Sequence, residues 1–150
     1  SEFSVFNLKQ KLRMLKFDNF EMIVGSCGDK KLLQTIFSEN DVDIIINASA
    51  YKHVSIMQDN AYAALNNNVL NLIHLLKTAI SFGVNDIIHI STDKAAEPSN
   101  VMGLSKLLCE QILIHANHYL DVSLNYFQVK AGLSLTEWKK RGWRESLERR

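Results

Sequence analysis

A hydroxyl, a carboxylate and an ammonium stand in a row at Thr92-Asp93-Lys94, preceded by Ser91. Groups of these types can hold a hydroxylated substrate, move a proton and offset negative charge. Taken alone, the run reads either as a solvated turn or as a functional rim. It follows directly on an apolar strand, and functional groups gather on loops at strand ends, which favours the rim. Met102 comes eight residues beyond Lys94, and Lys106 four residues after that. On a helix those two are i and i+4 and share a face.

A second loaded segment is Ala48-Ser49-Ala50-Tyr51-Lys52-His53-Val54. Ala48, Ser49 and Ala50 are small enough for backbone to approach a cofactor closely, while Lys52 and His53 offer donors to phosphate or sugar. A satisfied structural loop is the alternative. Gly25-Ser26-Cys27-Gly28-Asp29 carries only GxxG, which is not the dinucleotide fingerprint G-x-G-x-x-G. A turn presenting Asp29 to a purine suits it better. His115 and His118 lie i and i+3, but no third metal ligand accompanies them, so ordinary surface histidines are expected. No Ser-His-Asp, HExxH or P-loop pattern occurs.

The elements that position these groups follow from periodicity. Val5, Leu8, Leu12 and Leu15 predict an amphipathic helix over residues 4–16. Phe20 to Val24 alternates like a short strand, and 31–38 reads as a helix. The runs 43–48 and 86–91 are β-branched and apolar on both faces, as in strands covered on both sides. Helices are predicted over 60–82, capped by Gly83, and over 100–117, and a last strand over 122–129. Strands alternating with helices imply parallel βαβ units, hence an α/β sheet with helices on both faces and a doubly wound, Rossmann-type arrangement. Ligands in such sheets bind beyond the strands' carboxyl ends, which is where the loaded segments fall.

The 150 residues are 47% hydrophobic and 22% charged with a formal net charge of +1, which is ordinary for one globular unit. Near-neutrality gives no electrostatic case for nucleic acid or an anionic membrane. No apolar run approaches the ~20 residues of a membrane span, and Ser1-Glu2-Phe3, with neither a basic region nor an apolar core, is not expected to be a secretion signal. Cys27 and Cys109 form no CxxC, so two thiols in a reducing cytoplasm are expected.

Residues 48–110, ASAYKHV…NNNVLN…GVNDIIHISTDKAAEPSNVMGLSKLLCE, resemble the CapD/WbpM/PglF group of UDP-N-acetylglucosamine 4,6-dehydratases, polysaccharide-biosynthesis enzymes of the extended short-chain dehydrogenase/reductase type. The STDK and NVMGxSK strings carry the likeness. Met102 is similar to the WbpM and PglF branch, with methionine where related enzymes have the tyrosine of Tyr-x-x-x-Lys. Gly28-Asp29 resembles the group's adenine contact, and Ser1-Glu2-Phe3 the end of its second strand. The resemblance implies a partial doubly wound parallel sheet lacking the first strand, the glycine-rich loop and the second strand. It divides the chain into a partial NAD(P)-binding Rossmann domain at 1–130 and a divergent basic helical tail at 131–150. A truncated or split chain, unstable or inactive alone, is the corresponding expectation.

The implied reaction on a UDP-N-acetylhexosamine is oxidation at sugar C4 by NAD or NADP, loss of the C6 hydroxyl with the C5 proton, and return of the hydride to C6. By matching position, Lys94 is the implied base at C5 and Asp93 the acid at the C6 hydroxyl. Thr92 hydrogen-bonds near O4. Met102 has no proton to exchange, so the C4 base stays open among Thr92, Asp93 and a water. Lys106 is implied to hold the nicotinamide ribose, with Lys52, Ala48, Ser49 and Ala50 bordering the cofactor and Asp29 at the adenine. A UDP-sugar 4-epimerase and a non-catalytic remnant or interaction protein are the competing readings. A homo-oligomer or a complementing fragment is an expected partner, and the cytoplasm (or the cytoplasmic face of a membrane) the expected location.

Overall fold

The β-branched run before Asn47 and the alternating run before Asp93 form the sheet's first strands. β1 spans Ile44–Asn47, β2 Asp86–Thr92 and β3 Asn125–Ala131. The computed structural model describes residues 2–84, 86–119 and 125–131; nearly all of the predicted tail at 131–150 lies outside them, as does Ser1. The strands pair in parallel in the order β1-β2-β3, with Asn47 beside His89 and Thr92 beside Ala131. Parallel neighbours need crossovers. The first passes through α3 (Val54–Asp59), α4 (Ala61–Leu65), a π-turn at Asn66–Leu70 and α5 (Asn71–Ser81). The second passes through α6, Val101–Tyr119. Before the sheet come α1, Glu2–Met14, and α2, Lys30–Glu39.

Burial alternates along β2, with Ile87, His89 and Ser91 on the covered face. Ile87 joins Val69, Leu72, Leu76 and Ala79 of the first crossover and Cys109 and Leu113 of α6 in the main core, and Ile45 and Phe37 pack against it. α5 ends where expected. Gly83 takes φ 75°, Val84 N–H donates to Ala79 O at 3.0 Å and Gly83 N–H to Ile80 O at 3.1 Å, the paired bonds of a Schellman cap.

Three expectations need correction. Phe20 to Val24 forms no strand, since no strand among the described residues lies beside it to complete a ladder, and Val24 is 62% exposed. β1 is covered on one face only: Ile44 and Ile46 are 55% and 65% exposed, because among the described residues the main core gathers on the Ile45–Ile87 side. The predicted helix over 60–82 is also not continuous α; the π-turn interrupts it at the asparagine run.

Candidate functional site

Thr92-Asp93-Lys94 sits at the carboxyl end of β2, turning through a single 3-10 turn at Asp93–Ala95. Thr92 Oγ1–H donates to Asp93 Oδ1 at 2.9 Å, and Lys94 N–H donates to the same oxygen at 3.0 Å. Lys94 Nζ lies 3.6 Å from Asp93 Oδ1. The Thr92 hydrogen bond, and then the Lys94 charge, hold the Asp93 carboxyl below its ordinary value. That direction runs against a general acid in the open site. Asp93 needs cover that removes water before it can hold a proton near neutrality.

This rim is pressed onto α6. A Cβ on Gly103 would stand 2.5 Å from Lys94 O, so only glycine lets the helix approach the rim this closely. Beneath the rim, Lys106 is buried and donates from Nζ to Ile90 O at 2.8 Å. Burial lowers its ammonium from the ordinary lysine value, with Cys109 and Glu110 acting the other way. Met102, one turn earlier, is buried in a small apolar cluster with Met57 and Ala64. The i, i+4 pairing of Met102 and Lys106 on one inward face is present, and Met102 meets side chains of the first crossover.

The loop after β1 faces the same region. Ser49 N–H and Oγ–H both donate to Asn47 Oδ1, at 3.2 and 2.6 Å. Ala50, Lys52 and His53 line an open cavity of about 520 Å³ floored by Ile56, Met57 and Ala63. Met57 lines the cavity and also packs with Met102, so the loop after β1 and the start of α6 approach each other there. Asp29 is farther along the chain's packing and acts as the N-cap of α2: its Oδ1 accepts from Lys31 N–H at 3.0 Å and Leu32 N–H at 3.2 Å. An adenine contact would have to use its other oxygen. His115 Nδ1 lies 2.9 Å from Gln111 O on its own helix, and among the described residues no group of three His, Cys, Asp or Glu could hold a metal.

Some positioning residues escape a reading by spacing. Asn68, buried in the π-turn, bonds both backbone groups of Tyr51: Oδ1 accepts from its N–H at 2.7 Å and Nδ2 donates to its carbonyl at 3.1 Å. Its Nδ2 also donates to Ser105 Oγ at 2.9 Å, so one amide ties the loop after β1 to α6 between Met102 and Lys106. The only sequence signal was a break in apolar periodicity at Asn66-Asn67-Asn68. π-Turns of this kind are frequent where a side chain must be aimed. Asn47 Nδ2 lies 3.2 Å from His89 Nδ1, while His89 Nε2 is buried without a partner. Burial, and then the Lys106 charge, push His89 down to about 4.

A parallel sheet with a polar rim at the carboxyl end of β2 and a lysine-bearing helix packed beneath it makes a partial α/β fold of Rossmann type. The sequence pattern of the family described as "Polysaccharide biosynthesis protein" matches residues 1–136, and the chain belongs to that family. A Methanocaldococcus jannaschii protein described as an uncharacterized membrane protein is 38% identical over 129 residues, covering 86% of this chain and 37% of that protein. The inverting UDP-N-acetylglucosamine 4,6-dehydratase of Campylobacter jejuni serotype O:23/36 is 32% identical over 106 residues, 71% of this chain and 31% of that enzyme. Among solved structures, the UDP-glucose 4-epimerase of Bifidobacterium longum, in complex with NAD+ and UDP, superposes with a TM-score of 0.75 at 22% identity, over 81% of this chain and 40% of that one. The chain thus spans well under half the length of the proteins it matches. No helix among the described residues is long and apolar enough to cross a membrane.

Proposed function

We propose that this chain carries the catalytic rim of a nucleotide-sugar 4,6-dehydratase acting on a UDP-N-acetylhexosamine in the cytoplasm, for surface polysaccharide or glycan biosynthesis. The observation that carries the proposal is the juxtaposition of Asp93 and Lys94 with α6, where Gly103 meets the Lys94 backbone and Lys106 lies beneath. An acid and an amine side by side suit an elimination, in which one proton leaves C5 and another reaches the departing C6 hydroxyl.

Lys94 takes the C5 proton, made acidic by a ketone at C4. Asp93 delivers a proton to the C6 oxygen once the bound sugar covers it and raises its affinity for that proton. Thr92 hydrogen-bonds near O4. Met102 offers no proton and shapes the apolar wall shared with Met57. When bound, a nicotinamide dinucleotide, NAD or NADP, supplies the redox chemistry. The residues present fit one side of such a molecule. Ala48, Ser49 and Ala50 leave room for it at the end of β1, Lys52 borders it, and Lys106 has donors beyond the one given to Ile90 O. Asp29 stands as the adenine-side residue, and no described residue is assigned to the pyrophosphate.

Grafting residues 48–110 into the Campylobacter dehydratase and supplying UDP-N-acetylglucosamine with NAD+ tests the reading. A 4-keto-6-deoxy product is expected. A C4 epimer as the sole product would instead assign the rim to 4-epimerase chemistry, and no conversion at all would mark a non-catalytic relative.

A further inference from the structure

We propose that Glu110 is a positioning residue for the rim: its buried carboxyl group accepts a hydrogen bond from Ser91 Oγ–H and so anchors the carboxyl end of β2 to α6. The inference rests on the dehydratase reading for its catalytic consequence, though not for the anchoring itself.

Ser91 immediately precedes Thr92-Asp93-Lys94, and both Ser91 and Glu110 are almost fully buried, at 2% and 7% exposure. A glutamate is rarely placed so deep unless a partner compensates its desolvation, and an apolar residue would pack there at lower cost. Glu110 lies one helical turn beyond Lys106, at i+4, so the rim's anchor and the lysine beneath it belong to one face of one helix. Lys106 reaches back to Ile90 O, the residue before Ser91. Consecutive residues of β2 are therefore held from α6 by Lys106 and Glu110, and the next residues form the rim. The clamp joins side chains nineteen positions apart at Ser91–Glu110, and a side chain to a backbone carbonyl sixteen positions away at Lys106–Ile90. Gly103 sets the distance between rim and helix; Glu110 sets the rim's register along the strand axis.

The test uses Glu110→Ala, Glu110→Gln, Ser91→Ala and the Ser91→Ala/Glu110→Ala pair. In the full chain, hydrogen exchange at Thr92 to Ala95 is expected to quicken about tenfold in Glu110→Ala and Ser91→Ala, with β1 unchanged. Glu110→Gln keeps an acceptor for Ser91 and is expected to restore slow exchange. In the active graft, Glu110→Ala is expected to lower kcat on the order of 10²-fold with little change in KM, since the reacting groups are misplaced and binding is not lost. The double variant should be no worse than either single one, as for two ends of one interaction. Unchanged exchange at the rim in Glu110→Ala, or additive losses in the double variant, would overturn the inference. Uniformly faster exchange throughout α6 and the sheet would also overturn it, marking Glu110 as a general packing residue. A graft that does not dehydrate its substrate, with the exchange pattern intact, removes the dehydratase reading and leaves the anchor standing.

Discussion

The stretch from β2 through α6 and the stretch around α1 carry similar helical periodicity and very different structure. α6 is joined to its surroundings by Gly103 against Lys94, Ser105 to Asn68, Lys106 to Ile90 and Glu110 to Ser91. α1 buries no residue, and Phe3, Phe6 and Met14 are 72%, 55% and 83% exposed. A helix draws most of its stability from the face it packs, so spacing names a helix without saying what covers it. The chemistry proposed for this chain sits where polar side chains supply the tertiary ties, and that is the region whose geometry single substitutions should disturb.

The comparison can be broken hardest at Gly103. Gly103→Ala places a methyl group against the Lys94 carbonyl, which is backbone and cannot swing away. The expected cost is about 1–3 kcal/mol of stability by denaturant unfolding, with turnover of the active graft down on the order of 10²-fold. Full activity in that variant would separate the rim from α6. His89 gives a comparable effect through pH. Its pKa is about 4 in the folded chain against an ordinary 6.5, so the unfolded state binds the proton more readily. Its contribution is fully present above pH 6.5 and is lost as pH falls toward 4, a change on the order of 3 kcal/mol. His89→Leu should flatten that part of the stability–pH curve.

Asp29→Ala removes the α2 cap and should cost about 1 kcal/mol by denaturant unfolding; a loss of dinucleotide binding by the same variant of this chain would add the adenine role to the cap. At the other end of the comparison, Phe6→Ala on α1 should change stability by no more than about 0.5 kcal/mol. A larger loss would show that α1 packs after all.

Much of this was legible in the sequence. The runs at Ile44 and Asp86 became parallel neighbours, Gly83 became the cap of α5, and Met102 and Lys106 came to share an inward face. Of the last strand expected over 122–129, residues 125–129 fall in β3, Asn125–Ala131, and 122–124 lie outside the described residues. What spacing could not supply was everything depending on a distant partner. Phe20 to Val24 has strand alternation and, among the described residues, no neighbour to pair with. Ile46 has a core residue's chemistry and open space beside it. Asn68 breaks the apolar periodicity and is the amide that joins the loop after β1 to α6. Asp29 looked like a ligand contact and first satisfies its own helix terminus. In each case a local preference met a long-range condition that the local pattern does not encode.

The central proposal is that Lys94 removes the C5 proton at a rim fixed on α6. Its most direct test is the product formed from UDP-N-acetylglucosamine by the graft carrying Lys94→Ala. The account predicts that the 4-keto-6-deoxy sugar disappears, while dehydration persisting at the unsubstituted rate would contradict it.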